Sequence, residues 1–309
     1  MTAEQPRHLT AVGEVLISLQ APVGADLTGT DTLDVRIAGA EANFAAAFLR
    51  AGGTAALCSA VGQDPLGDQV LNRLTRFGID VAGVRRDPNR PTGVMLNQRH
   101  AGERQVFYYR AGSAASGLTI EQVLTGSVGP VVISGVTFAV AAGLREGIDD
   151  LLAGLRAANR ELVLDVNLRP KLGHVPAVVA AIRKAAVQAS MVFVGLDEAG
   201  PVFGIDQPAA LAELITGDSG AEVVVTDGAN GSWVDGAHLP AVPVTVVDPV
   251  GAGDAFAGTY CALRAFGEPP MTAGRVAAAV AARVVSTPGD LDGLPAAADV
   301  RRLLAEHRS

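Results

Sequence analysis

Val246-Val-Asp-Pro-Val-Gly-Ala-Gly-Asp-Ala-Phe-Ala-Gly258 is the most informative segment of this chain. An apolar run, Val244 to Val247, reads as a strand, and Ala255 to Phe266 reads as a helix. Between them stands Gly251-Ala252-Gly253. Residues this small let successive backbone N–H groups point into one concavity, and the helix start adds partial positive charge. The result is an anion site that needs no lysine. Asp254 stands at the same helix start. A carboxylate beside an anion makes sense when it must take a proton. An acceptor hydroxyl attacking a γ-phosphate needs such a base, while the amides of residues 251–253 neutralise charge on the transferring group. Helix capping is the competing use of Asp254.

Two other glycine motifs fail on spacing. A dinucleotide fingerprint needs a third glycine where Phe256 stands. A P-loop needs a lysine where Thr259 stands, and the chain's two lysines, Lys171 and Lys184, follow no glycine. Walker-type chemistry is excluded and a dinucleotide oxidoreductase is disfavoured.

Outward from this loop, strand-length apolar runs alternate with helical patterns. Leu9 to Ile17, Ala55 to Val61, Val131 to Ser134, Leu162 to Val166, Met191 to Val194 and Glu222 to Thr226 read as strands. Glu41 to Arg50, Leu66 to Phe77, Leu144 to Ala158, Ala177 to Gln188, Ala209 to Thr216 and Thr272 to Val285 read as helices. This alternation predicts an α/β fold with a mostly parallel sheet and helices on both faces. Thr32 to Ile37 and Thr92 to Arg110 break the pattern. They read as inserted antiparallel strands, with a turn at His100 to Glu103. A small sheet over one end of the main sheet is a lid, which excludes water from reacting groups. One domain over 1–309 is expected, its lid built discontinuously from about 14–37 and 90–112.

Composition agrees. Over 309 residues, 49% are hydrophobic, 18% charged and only 4% aromatic, so Ala, Val and Leu must fill the core. That excludes a disordered chain. The formal charge of -8 leaves no sequence-wide basic footprint for nucleic acid. Cys58 and Cys261 have no metal-ligand spacing and read as small buried residues of a reduced compartment. The scattered histidines form no metal pattern. Residues 1–9 lack an apolar targeting core, and no apolar run reaches membrane-spanning length. A cytoplasmic protein with no membrane partner is expected.

Asp248-Pro-Val-Gly-Ala-Gly-Asp254-Ala-Phe resembles the C-terminal signature of the ribokinase-like (PfkB-type) carbohydrate kinases. Pro249 stands where that family usually has Thr. Ala38-Gly-Ala-Glu-Ala-Asn43, followed by Gly62-x-Asp64-x-x-Gly67, resembles its N-terminal signature. The resemblance runs from about residue 10 to about 300 and implies a ribokinase-like three-layer α/β/α fold. Tyr108-Tyr-Arg110, Asp165-Val-Asn-Leu-Arg169 and Gly289-Asp290 are most similar to the 2-keto-3-deoxygluconate kinases. An early Asp that holds sugar hydroxyls in many members has no clear counterpart between Glu14 and Ser18.

The resemblance implies ATP and Mg²⁺ as cofactors and a small sugar acid as partner. Asp254 is then the base, with Gly251, Ala252 and Gly253 as anion hole. A guanidinium holds a carboxylate bidentately, so Arg110 beside Tyr108 reads the acid. A solvated pair with Glu103 is the plain alternative. Gly39, Asn43 and Asp290 contact the substrate. Asn167 and Arg169 lie beyond a strand end, where open α/β sheets bind ligands. Arg169 bridges acceptor and phosphate, or else pairs with Asp165. Thr226, Gly228 and Gly231 belong to a turn implied to touch the nucleotide. Glu198 is a water-mediated Mg²⁺ candidate, although Gly195 replaces the family's usual Asn. The expected reaction is phosphorylation of the terminal hydroxyl of 2-keto-3-deoxygluconate to its 6-phosphate. A fructokinase- or ribokinase-type activity is the nearest alternative, and a silent sugar or nucleotide sensor is a further one. The galactose epimer fits equally, and a homodimer through the lid is expected.

Overall fold

The computed structural model describes residues 7–308 except 23, 101, 102, 288, 290 and 292. The body begins with β1 (His8–Val12), and the chain then leaves it for β2 (Leu16–Gln20) and β3 (Asp34–Ala38). It returns as α1 (Ala40–Arg50), β4 (Thr54–Gly62), α2 (Pro65–Phe77) and β5 (Val84–Asp87). A second excursion forms β6 (Val94–His100) and β7 (Glu103–Tyr109). Next come α3 (Ile120–Gly126), β8 (Val131–Ser134), α4 (Gly135–Val140), α5 (Ala142–Glu146), α6 (Ile148–Ala157) and β9 (Leu162–Asp165). The chain continues through α7 (Val175–Ala186), β10 (Met191–Gly195), α8 (Leu196–Phe203), α9 (Pro208–Ser219) and β11 (Glu222–Thr226). It closes with β12 (Ser232–Val234), β13 (Ala237–Leu239), α10 (Ala252–Ala265), α11 (Pro270–Val285) and α12 (Ala297–His307).

The main sheet has the order β13-β12-β11-β10-β9-β8-β1-β4-β5. It is parallel from β11 to β5, with β12 and β13 antiparallel at one edge. Alternate residues of each central strand enter opposite cores, as a period of two requires. Val163, Phe193 and Val224 face the core built with α1, α10 and α11. Leu164, Val192 and Val225 face the core built with α6 and α7. Parallel strands buried on both faces need such continuous apolar runs. The expected three layers are therefore present. Both cysteines are buried free thiols. Burial pushes them up to about 11 and about 12 respectively, which makes them inert. Among the described residues, no helix is long and apolar enough to cross a membrane.

The small sheet has the order β3-β2-β6-β7. Its outer pairs are antiparallel, as expected, but β2 and β6 run parallel. Each hairpin is an excursion leaving the body in the same direction, so their first strands align. The turn expected at His100 to Glu103 includes residues outside the described set.

Three expectations are corrected. Leu9 to Ile17 is two strands in two sheets, because Gly13 to Val15 carries the chain from the body to the small sheet. Leu144 to Ala158 is broken at Gly147, which ends α5 and precedes α6. Val244 to Val247 forms no strand. Pro240, Pro243 and Pro249 crowd that segment, and proline can donate nothing to a ladder. Instead Val247 and Asp248 both donate their N–H to the carbonyl of Val285 at the end of α11.

Candidate active site

A cavity of about 410 Å³ opens at the carboxyl ends of β9, β10 and β11, beneath the small sheet. Leu16, Met95, Val106 and Tyr108 cover it from the small sheet, and Pro249, Val250, Gly251 and Gly253 form its opposite wall. Gly251 is left-handed, with φ 75° and ψ −5°, and is the N-cap of α10. Its carbonyl accepts the N–H of Ala255 at 2.8 Å. The N–H groups that precede Ala255 at this helix start have no intrahelical acceptor and face the anion position.

Asp254 occupies the third helical position and is 9% exposed, so capping does not explain it. Its two oxygens are addressed separately. Asn43 Nδ2 donates to Oδ2 at 2.8 Å, and Asn167 Nδ2 approaches Oδ1 at 3.4 Å. Asn43 stands in the first turn of α1, its N–H bonded to the carbonyl of Gly39. Asn167 follows β9 with φ 33°, a region that favours Asn over most residues. That conformation sets its amide between Asp254 and Asp165, whose Oδ2 accepts at 3.0 Å. Asn43 is thus committed to the carboxylate of Asp254, a use that reading the sequence did not anticipate.

Asp165 and Glu198 add negative charge at the same strand ends. Burial pushes Asp165 up to about 6, aided by the charge of Glu41 and opposed by Asn167 and Arg169. Glu198 rises to about 7, through burial first and the charge of Asp165 second. Its Oε2 accepts the N–H of Gly195, which closes the first turn of α8. Arg169 pairs with Glu198 at 3.8 Å rather than with Asp165. The Arg169 side chain is 53% exposed, and so loose a pair leaves it available to a ligand.

Arg110 pairs with Glu14, and the side chain of Glu103 lies outside the described set. Glu14 is 3% exposed and also accepts from Ser113 Oγ at 2.5 Å. Burial raises its carboxyl, while Arg110 and Ser113 oppose the rise. The Arg110 guanidinium carbon lies 5.6 Å from the Tyr108 ring centre, a cation–π distance. Reading the sequence missed Glu14. The available signal was an acidic residue directly after the first apolar strand, beside Gly13. Glu41 was quoted only as part of a motif. It is 1% exposed and accepts from Ser134 and Thr137.

The cavity brings together Gly39, Asn43, Tyr108, Arg110, Asn167, Arg169, Glu198, Thr226, Gly251, Gly253 and Asp254. Ala252, Gly228 and Gly231 do not line it. Gly228 begins the single helical turn between β11 and β12, and Gly231 packs on the carbonyl of Leu239. Asp290 lies outside the described residues. Among those described, no three His, Cys, Asp or Glu side chains are grouped to hold a metal unaided. Glu198, with Asp197 beside it in the lining, fits an ion held chiefly by other ligands.

Residues 6–297 match the family model described as pfkB family carbohydrate kinase. The chain is 31% identical over 318 residues to a 2-dehydro-3-deoxygluconokinase of Thermoproteus tenax, covering 98% of this chain and 95% of that one. It is also 31% identical over 302 residues to a 2-dehydro-3-deoxygalactonokinase of Haloferax volcanii, covering 94% and 93%. A solved structure described as a ribokinase II from E. coli, in complex with ATP and Mg²⁺, superposes with a TM-score of 0.86. It is 22% identical, covering 97% of this chain and 100% of that one.

Proposed function

Because this chain belongs to the pfkB family of carbohydrate kinases, we propose that its acceptor is 2-keto-3-deoxygluconate, phosphorylated by ATP at the terminal hydroxyl. The observation that carries this reading is Arg110, held beside Tyr108 at the end of a cavity whose other wall is the Gly251–Asp254 helix start. A buried guanidinium is the group that recognises a carboxylate.

In this reading the terminal hydroxyl of the acceptor lies against Asp254. Asp254 takes its proton as the new O–P bond forms and the bond from γ-phosphorus to the bridging oxygen breaks, releasing ADP. Asn43 and Asn167 hold the carboxylate in that orientation. The N–H groups of Gly251, Ala252 and Gly253 face the charge on the transferring group. Arg169 and Asn167 reach the phosphates from the end of β9, and Gly39 walls the sugar. Thr226, with the turn carrying Gly228 and Gly231, supports the nucleotide. Mg²⁺ neutralises phosphate charge when bound, and Glu198 would hold it through water. The whole chain, 1–309, acts as one unit, with 14–37 and 90–112 as its lid. Phe107 and Tyr109, 44% and 66% exposed on the small sheet, support a homodimer through the lid, which sedimentation would test.

One observation favours a second reading. Glu14 already neutralises Arg110, which suits a neutral acceptor such as fructose or ribose. ADP release across 2-keto-3-deoxygluconate, its galactose epimer, fructose, ribose and gluconate separates the two. A kcat/KM preference for the keto-deoxy acids supports the first reading. A preference for a neutral sugar replaces it with the second.

A further inference from the structure

The chain crosses between the body and the small sheet four times among the described residues, and every crossing meets Glu14. The first crossing, Gly13 to Val15, contains it. The second is Gly39, whose φ is 153°. A Cβ there would lie 2.5 Å from the carbonyl oxygen of Glu14 and 3.3 Å from Val15 Cα. The third passes through Gly93, where a Cβ would lie 2.5 Å from Glu14 Oε1. Its carbonyl accepts the N–H of Ile17, the residue that starts the β2–β6 pairing. The fourth runs from Arg110 to Ser113, and both side chains end on the Glu14 carboxylate. The third and fourth are also tied to each other, since Ala114 donates its N–H to Pro91.

A buried carboxylate is costly unless paired, and removing its partner is strongly destabilising. An ordinary hinge would be served by small apolar residues. Here a charge stands at the junction, and its partner is the guanidinium that faces the acceptor. Glu14 engages Arg110 through Nη2, while the buried Nε of Arg110 has no hydrogen-bond partner among the described residues. Arg110 also lines the cavity and its side chain keeps 11% exposure, so part of the guanidinium remains for a second carboxylate.

We propose that Glu14 is a positioning residue that couples acid recognition at Arg110 to the position of the lid, because it joins Arg110 to all four crossings among the described residues. An acceptor carboxylate sharing the guanidinium changes the force on Glu14. That change reaches Gly39 and Gly93 as well as the segment from Arg110 to Ser113. The coupling rests on Arg110 reading an acid; the hinge role does not.

The test uses Glu14→Gln, with Ser113→Ala as the milder variant should the first not fold. Amide hydrogen exchange of the ligand-free protein reads the hinge. Strands β2, β6 and β7 should exchange about tenfold faster, the size expected for losing a charged hydrogen bond, while β9 and β10 stay unchanged. Unchanged exchange in the small sheet overturns the hinge role, and so does equal acceleration throughout the body. Steady-state kinetics read the coupling. KM for the keto-deoxy acid should rise about tenfold while KM for ATP and the kcat/KM for a neutral sugar hold. A fall in kcat alone, or an equal loss with acid and neutral sugar, overturns the coupling. A wild-type enzyme that turns over only neutral sugars defeats the substrate reading and the coupling with it. The exchange result then still decides the hinge.

Discussion

Asn43 and Asp254 lie 211 positions apart in the chain, yet Asn43 Nδ2 donates to Asp254 Oδ2 at 2.8 Å. With Asn167 on the other oxygen, the carboxylate is clamped from one helix and one strand end. Each amide occupies one lone-pair direction of its oxygen. A neutral clamp fixes orientation without neutralising the base, whereas a cation in its place would weaken it.

Asp254→Asn should lower kcat by about 10²- to 10⁴-fold, the usual worth of a general base. One donor of the new amide would then face a donor of Asn43 or Asn167, so stability should fall by about 1–3 kcal/mol as well. Steady-state turnover, read beside ATP binding by calorimetry and the melting temperature, separates the two effects. Near-normal turnover in a folded variant would remove the base assignment.

Asn43→Asp should move the acidic limb of the pH–rate profile upward by about one unit or more. It places a second carboxylate against the first, and two such groups cannot ionise independently. A profile of unchanged shape would mean that Asp254 is not the group titrating in turnover.

Asp165 and Glu198 predict a pH-dependent stability of the ligand-free protein. Their ordinary values, 3.8 and 4.5, rise to about 6 and about 7 on folding. The folded state therefore holds protons that the unfolded state releases. The contribution is fully present below the ordinary values and is lost as pH rises through about 6 and about 7. Melting temperature should fall between about pH 4 and about pH 7, and Glu198→Gln should flatten that fall. The Mg²⁺ concentration for half-maximal rate should also drop as Glu198 ionises, and this trend should vanish in the variant.

Arg110→Ala should raise KM for the acid acceptor by about 10- to 100-fold, the worth of a charged hydrogen-bonded contact. It also strands Glu14 as a buried charge, so stability should fall by about 3 kcal/mol. Calorimetric unfolding and a KM measurement with the acid check both. An unchanged KM would sink the carboxylate role, whatever the stability.

The helix start at Gly251 was legible because its chemistry is local. Glycines, a short spacing and one carboxylate lie within four residues. The alternation of β8, β9, β10 and β11 with helices was legible because buried parallel strands are apolar throughout. Glu14 was not, because its meaning depends on Arg110 and Ser113, 96 and 99 positions away, arriving at the same crossing. Asp165 stood in a quoted motif, yet only the fold shows Glu41 near enough to disfavour its ionisation. Val244 to Val247 misled because β-branched residues signal a strand more loudly than flanking prolines signal its absence.

The parallel pairing of β2 with β6 also bears on synthesis. Ile17 leaves the ribosome 77 residues before Val94, the partner it pairs with. Until then the hairpin of β2 and β3 carries an unpaired edge, the kind of template on which chains join one another wrongly. Polar Ser18 and Gln20 on that strand, with Asp34 and Arg36 opposite, make the waiting edge a poor surface for self-association.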